Sequence, residues 1–366
     1  NPVYSAHLKS RNMKQTIMLG FSDGTKDGGY FMANWSIYKA KEELSDVSSE
    51  YGIAVAFFDG RGGPPARGGG NTHQFYASMG DRIKADDIQL TVQGQTISSN
   101  FGTIDSSQFN LEQLLSSGIS NQVFKNEDND LADEDRITMQ QLADTSYKSY
   151  SDFKSHPKFV PYLENMSTLQ YYSKTNIGSR PSKRGNSKEL NFSDLRAIPF
   201  VGSWSQSKQN VPGFFGVGSA ILAFDERGEF DKVDSLYQNS AFFRTLIANS
   251  MMSLTKSFFK LTAHIGEDEE FGSFWNIIHD EYILTKAMLL KLTGYSELME
   301  DQPAGKHSIE MREAIVQPLL TIQQYALSSI HELKKTNELN DDQQAIYEKL
   351  VTRSLFGNIN ASRNSC

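Results

Sequence analysis

Apolar and polar positions alternate in two different ways along this chain. Up to about residue 110, short apolar runs closed by glycine alternate with longer stretches of helical spacing; beyond it the helical spacing takes over. Residues 15–21 predict a strand that ends at Ser22-Asp23-Gly24, and residues 33–51 predict a helix with Trp35, Tyr38, Leu44 and Val47 on one face. Residues 53–58 are six apolar residues in a row and predict a buried strand. Residues 88–93 alternate apolar and polar, and Gln95-Thr96-Ile97 after Gly94 predicts a further strand or hairpin. Past residue 111 the pattern is mostly helical, broken by a polar, basic stretch over 179–193 that leads into an apolar run, 195–201, read as a strand. Amphipathic helices follow at about 242–262, 273–295, 308–336 and 341–356, their apolar stripes read as core.

Strand, helix, strand, with polar loops after the strands, is the layout of a β/α barrel or an open α/β sheet, in which ligands gather at the carboxyl ends of the strands. The expected fold is therefore α-rich α/β: part of a β/α barrel, only a few strands, followed by a large C-terminal helical bundle. The expected division is 1–110 for barrel strands and active-site loops, 111–205 for helices and the last basic loop and strand, and 206–366 for the helical region. Three or four strands do not close a barrel, and the chain starts Asn1-Pro2-Val3-Tyr4, so it reads as a piece of something longer.

With 366 residues, 38% of them hydrophobic, the chain is long enough for a large core. A net charge of −8 argues against a general nucleic-acid surface. The single cysteine, Cys366, excludes an internal disulfide, and together with the lack of a long apolar run this points to a cytoplasmic address.

Against that acidic background stands Gly60-Arg61-Gly62-Gly63-Pro64-Pro65-Ala66-Arg67-Gly68-Gly69-Gly70, directly behind the buried strand. Glycines beside each arginine let the backbone bend and bring its N–H groups close to a ligand. The guanidinium forks match phosphate or carboxylate oxygens. Two arginines six residues apart on a mobile loop suggest a site for a small, strongly anionic substrate. A glycine-rich surface turn and an RGG-type RNA-binding segment are the competing readings. The loop is neither a Walker A motif nor a dinucleotide fingerprint. Elsewhere the chemistry is bland: the acidic run 127–135 lacks the central glycine of a calcium loop and reads as a solvated turn, and the seven histidines show no zinc spacing.

Several separated motifs together resemble phosphoenolpyruvate carboxylase. Phe21-Ser22-Asp23-Gly24-Thr25-Lys26-Asp27-Gly28 is similar to that family's Tyr-Ser-Asp-Ser-x-Lys-Asp segment, and the two-arginine loop to its Gly-Arg-Gly-Gly-x-x-Gly-Arg-Gly-Gly signature. Leu90-Thr91-Val92-Gln93-Gly94, Ile177-Gly178-Ser179-Arg180-Pro181-Ser182-Lys183-Arg184, Leu195-Arg196-Ala197-Ile198-Pro199 and Arg363-Asn364-Ser365 follow in family order. The resemblance is to the C-terminal part of the family sequence; the catalytic histidine and one acidic metal ligand belong to the N-terminal part.

The resemblance implies carboxylation of phosphoenolpyruvate by bicarbonate to oxaloacetate and phosphate, with Mg²⁺ or Mn²⁺, in a homotetramer when full length. It implies Asp23 as a metal ligand, with a helix N-cap as the ordinary alternative. Arg61, Arg180 and Arg196 are implied at the phosphate and enolate, although Arg180 and Arg196 taken singly also suit plain ion pairs. Lys26 joins this catalytic set, and Arg67 is implied as a lid arginine that keeps water out. Met18 is implied at a CO₂ pocket, where a core methionine is the default. Lys256, Arg312 and Asn364, with Arg67, are implied to hold aspartate or malate as an inhibitor.

The chain departs from the family pattern at four places: Asp59 where most members have His, Pro64-Pro65-Ala66 in the loop, Gln95 in place of Glu, and the terminal Cys366. Two classes of function stay open: a carboxylating lyase of which this chain is the C-terminal portion, inactive by itself, and a non-catalytic helical scaffold or regulatory module with a vestigial anion site.

Overall fold

A computed structural model describes residues 1–84, 87–92, 97, 100–123, 130–174 and 191–361. Among these, three strands form one parallel sheet in the order β1 (Lys14–Leu19), β2 (Ala54–Asp59), β3 (Ile88–Leu90). Everything else regular is helical, so the protein is helix-rich with a small sheet. Parallel neighbours need a crossover. Here it is the helix Tyr30–Glu50, reached through a short helix, Phe21–Gly28. Gly29, at φ 77°, ends the first helix and starts the second, and a Cβ there would stand 3.1 Å from the Tyr150 ring.

The register pairs Leu19 with Asp59 and Asp59 with Leu90, so all three strands end at one edge of the sheet. The core is largely aromatic. Tyr38 meets Phe242 at 4.5 Å between ring centroids, and Phe153 meets Phe215 at 4.1 Å and Phe274 at 5.1 Å. These contacts run without a break from the sheet into the later helices, while a second, smaller cluster unites Tyr171 and Tyr172 with the helices Pro303–Lys335 and Asp341–Ala361. Burying each such ring stabilises the fold by about 1.5–3 kcal/mol.

The helices Gly272–Thr293, Pro303–Lys335 and Asp341–Ala361 follow the expected periodicity closely, and Ala241–Thr255 is followed by a 3₁₀ segment, Phe259–Glu267. Three expectations are corrected. Residues 22–24 are not a turn but lie inside the helix Phe21–Gly28. Residues 195–201 are not a strand: Arg196 is the extended cap of the helix Ala197–Gln206, and Pro199 sits in its first turn, where no N–H is needed. The inward face of Tyr30–Glu50 is only half as expected. Trp35 and Tyr38 are buried, but Val47 is 52% exposed, and Lys41, Glu42, Ser45 and Ser48 are buried instead. Each of the first three has a partner to meet: Lys41 reaches Asp59, Glu42 takes a two-pronged bond from Arg136 at 2.7 and 2.6 Å, and Ser45 accepts the Lys84 N–H at 3.1 Å. The sequel of β3 at 93–96, including Gln95, lies outside the described residues.

Candidate active site

Asp59 closes β2 and is 1% exposed. Its Oδ2 accepts from Lys41 Nζ at 2.6 Å and from the Tyr76 hydroxyl at 2.8 Å, while Oδ1 is buried without a hydrogen-bond partner. Lys41 descends from the crossover helix into a cage of rings: its Nζ lies 5.4 Å from the centroid of Phe57, 5.6 Å from Tyr76, 5.7 Å from Phe75 and 6.0 Å from Phe21. Burial pushes the Lys41 ammonium below its ordinary range and Asp59 pulls it back. Burial, then Asp59, pushes the Tyr76 phenol well up, so Tyr76 stays a neutral donor to the carboxylate.

Arg61 begins the loop and is as buried as a core residue. Its Nε and Nη2 donate to the carbonyls of Gly68 and Gly69 at 3.3 and 3.0 Å, and its guanidinium carbon lies 4.0 Å from the Phe75 centroid. Nη1 is buried with no partner, and among the described residues no carboxylate pairs with this cation. Burial lowers its pKa, opposed by Tyr76, Asp59 and Tyr30, yet a guanidinium remains charged in a protein. Two cations and one carboxylate thus share a dry pocket under the loop. The surplus is positive, which suits an anionic ligand.

The loop differs from the expected open cradle. Its N–H groups turn inward: Arg67 and Gly69 donate to the Pro64 carbonyl at 2.9 and 3.0 Å, Gly68 to Pro65 at 2.8 Å and Gly70 to Gly63 at 2.9 Å. Pro65–Arg67 forms a 3₁₀ turn, the compact shape its prolines favour. Glycine is required for this closure. A Cβ on Gly69 would stand 2.0 Å from the Gly62 carbonyl, and one on Gly70, at φ 101°, 2.2 Å from Asn249 Oδ1. The loop is docked, with Asn71 N–H donating to Asn249 Oδ1 at 3.1 Å and Ser22 Oγ to the Arg67 carbonyl at 3.1 Å. Arg67 is buried, and its charge acts on the buried Tyr172 phenol, opposing the upward push of burial.

Asp23 is exposed in the first turn of Phe21–Gly28, and Gly20 takes the N-cap position that was the alternative for it. Lys26, on the same helix, is buried, 2.5 Å from Asp27 Oδ1 and 4.1 Å from the Phe192 centroid. Arg196 is half-buried, with its Nε buried and without a hydrogen-bond partner. The helix that Arg196 caps packs against both Phe21–Gly28 and Pro65–Arg67, so the elements carrying Asp23, Arg67 and Arg196 adjoin one another. Met18 is not core: it is 65% exposed, and a Cβ built on Gly60 would lie 3.3 Å from its methyl. Arg180 lies outside the described residues.

A hard cation suits the carboxylate oxygen of Asp23 together with substrate and water oxygens. Among the described residues, the group of three ligand-type side chains with clustered atoms is elsewhere: Asp268, His331 and Glu332. Asp268 there accepts two backbone N–H bonds, from Glu270 at 2.9 Å and Phe271 at 2.8 Å, and meets His331 Nε2 at 3.2 Å, which ties a loop to the helix Pro303–Lys335.

Lys256 follows the helix Ala241–Thr255 and lines a cleft of about 370 Å³ with Lys208 and Glu313. Arg312, half-buried on Pro303–Lys335, is not among that cleft's lining residues. The helix Ala241–Thr255 packs against both Pro65–Arg67 and Pro303–Lys335. Asn364 lies outside the described residues.

Sequence reasoning missed Lys41 and Tyr76. The available signal for Lys41 was its place three residues after Tyr38, on the face that turns inward. No helix among the described residues is long and apolar enough to cross a membrane. Compared with known families, residues 1–361 match the family model of phosphoenolpyruvate carboxylase. The match covers nearly the whole chain and agrees with the motifs that surround Asp23, Arg61 and Arg196, so this chain belongs to the phosphoenolpyruvate carboxylase family.

Proposed function

We propose that this chain carries the phosphate-handling side of phosphoenolpyruvate carboxylation, in which bicarbonate attacks the phosphate to give carboxyphosphate and an enolate, and the enolate carbon then bonds to the CO₂ released with phosphate. The observation that carries the reading is Arg61, a buried guanidinium without a carboxylate partner, at the carboxyl end of a parallel sheet in a member of this family. In the proposal Arg61, Arg180 and Arg196 hold the phosphate and neutralise enolate charge as a preorganised set. Arg67 and the docked loop exclude water, Lys26 belongs to the same catalytic set, and Met18 lines the CO₂ side. Mg²⁺ or Mn²⁺ bound at Asp23 would polarise phosphate and enolate oxygens. Asp59 takes part in the carboxylation step or positions the loop.

The three strands serve in this reading as part of a β/α barrel, residues 1–110 and 111–205 as its loops and flanking helices, and 206–366 as the bundle that bears control. Lys256, Arg312 and Asn364 receive aspartate or malate there, and drawing Arg67 toward them withdraws it from the reaction. A cytoplasmic homotetramer is the assembly proposed. One observation favours a second reading, a non-catalytic scaffold with a vestigial anion site: the N–H groups of Arg67, Gly68, Gly69 and Gly70 are spent inside the loop.

Oxidation of NADH by malate dehydrogenase, coupled to oxaloacetate formation, separates the two. The chain alone is expected to give none, since the resemblance assigns a histidine and a metal carboxylate to the N-terminal part of the family sequence; supplied with that part, it is expected to turn over. Arg61→Ala should then abolish turnover and Arg196→Lys reduce it, because a point charge does not reproduce a fork. Asp59→Ala should release pyruvate and phosphate without oxaloacetate. Calorimetry with L-aspartate, repeated on Arg312→Ala, tests the control site. No oxaloacetate from the completed enzyme leaves the scaffold reading.

A further inference from the structure

Asp59 and Arg61 are two residues apart, oppositely charged and both buried, yet they do not pair. Asp59 gives Oδ2 to Lys41 and Tyr76 instead, and Arg61 spends Nε and Nη2 on loop carbonyls. In a dry pocket, where opposite charges attract strongly, such abstention needs a cause. Lys41 supplies it. Its ammonium is 2.6 Å from Asp59 and, with Phe21, Phe57, Phe75 and Tyr76 around it, has no route to water. The Phe75 ring lies near both cations, 5.7 Å from Lys41 Nζ and 4.0 Å from the Arg61 guanidinium carbon. Each cation therefore has its own place, with the carboxylate on the lysine side.

We propose that Lys41 is a positioning residue that holds the Asp59 carboxylate away from Arg61, so that Arg61 stays free to take a phosphate-type anion. The inference rests on the reading of Arg61 as an anion-binding group. It also gives Asp59 a defined part: a carboxylate beside an anion site repels the ligand and competes for the arginine unless a fixed cation neutralises it. Without Lys41, Asp59 would turn to Arg61 and close the site from within.

The test uses the whole chain, crystal structures and calorimetry with inorganic phosphate on the wild type, Lys41→Gln, Asp59→Asn and the double variant. In Lys41→Gln the Asp59 carboxylate is expected on the Arg61 guanidinium, with phosphate affinity reduced about tenfold or more. Asp59→Asn also strips a buried charge of its partner and should lower the melting temperature, yet it should keep phosphate affinity, and the double variant should return to within about twofold of wild type. A merely structural pair would make affinity follow stability in both single variants. Asp59 still on Tyr76 in Lys41→Gln, with unchanged affinity, overturns the proposal. So does equal weakening in the two single variants. If Lys41→Gln does not fold, Asp59→Asn decides, because loss of phosphate binding there means that Asp59 was no competitor. Absence of phosphate binding by the wild type counts against the anion-site reading, whereas the position of Asp59 in Lys41→Gln still decides the role of Lys41.

Discussion

Lys41 and Lys208 are each buried against a carboxylate, at 2.6 Å from Asp59 and 2.5 Å from Glu313, but in regions built on different terms. Under the arginine loop both partners are sealed, with side-chain exposures of 3% and 1%, among aromatic rings. On the helical side Glu313 is 24% exposed, and the pair lines a cleft shared with Lys256. Burial lowers the pKa of both lysines, the carboxylate opposes it in both, and a neighbouring cation lowers it further in both, Arg61 at Lys41 and Lys256 at Lys208. Lys208 also holds a left-handed backbone, φ 54°, secured by the Phe258 N–H on its carbonyl at 2.8 Å. A sealed pair is fixed architecture while both ions are present, since water reaches neither. A pair at a cleft can exchange a partner for water or for a ligand.

The sharpest way to break this comparison is to remove one ion from each pair. Lys41→Met breaks a sealed pair and should cost about 3 kcal/mol of stability, the low end for such a loss because Asp59 turns to Arg61, read from urea denaturation. A loss near that of an exposed pair would mean that water reaches Asp59. Glu313→Gln should cost less, about 1–2 kcal/mol, because Lys208 can turn into the cleft. Equal losses at the two sites would erase the distinction between sealed and open.

Alkaline pH sharpens the comparison. The folded protein sheds the Lys208 proton below the ordinary 10.5 that the unfolded chain keeps, so the burial penalty is full below the folded pKa and fades as pH rises toward 10.5. Stability of the wild type relative to Lys208→Met should therefore rise over that window. Denaturation of the two proteins side by side cancels the tyrosines, and a flat difference would show that Glu313 fully offsets burial. The smallest effect is expected at Lys148–Asp152, with side chains 76% and 66% exposed: Lys148→Ala should change stability by about 0.5 kcal/mol or less. A larger change would mean that exposure does not rank these pairs.

Much of the frame was legible beforehand. The run over 53–58 became β2, the amphipathic stripes of the C-terminal third became the expected helices, and the motif around Asp23 and Arg61 led to the family that residues 1–361 match. These signals are local: a strand, an amphipathic stripe or a glycine turn is written in neighbouring residues. Less was legible where two local meanings compete. The segment 195–201, six apolar residues and Arg196, fits a strand or a buried helix equally, and the extended cap at Arg196 with Pro199 in the first turn resolved it toward helix.

By itself the sequence determined most of the strands and helices, the two-arginine loop and the family, because each depends on short-range pattern and residue type. Only the tertiary structure decided that Lys41 is buried on Asp59, that the loop turns its own N–H groups inward, and that Asn249 receives Asn71 across the fold. The reason is that the cost of burying a charge or an amide depends on the partner it meets. That partner lies eighteen residues away for Lys41 and 178 for Asn71, distances over which periodicity carries no information.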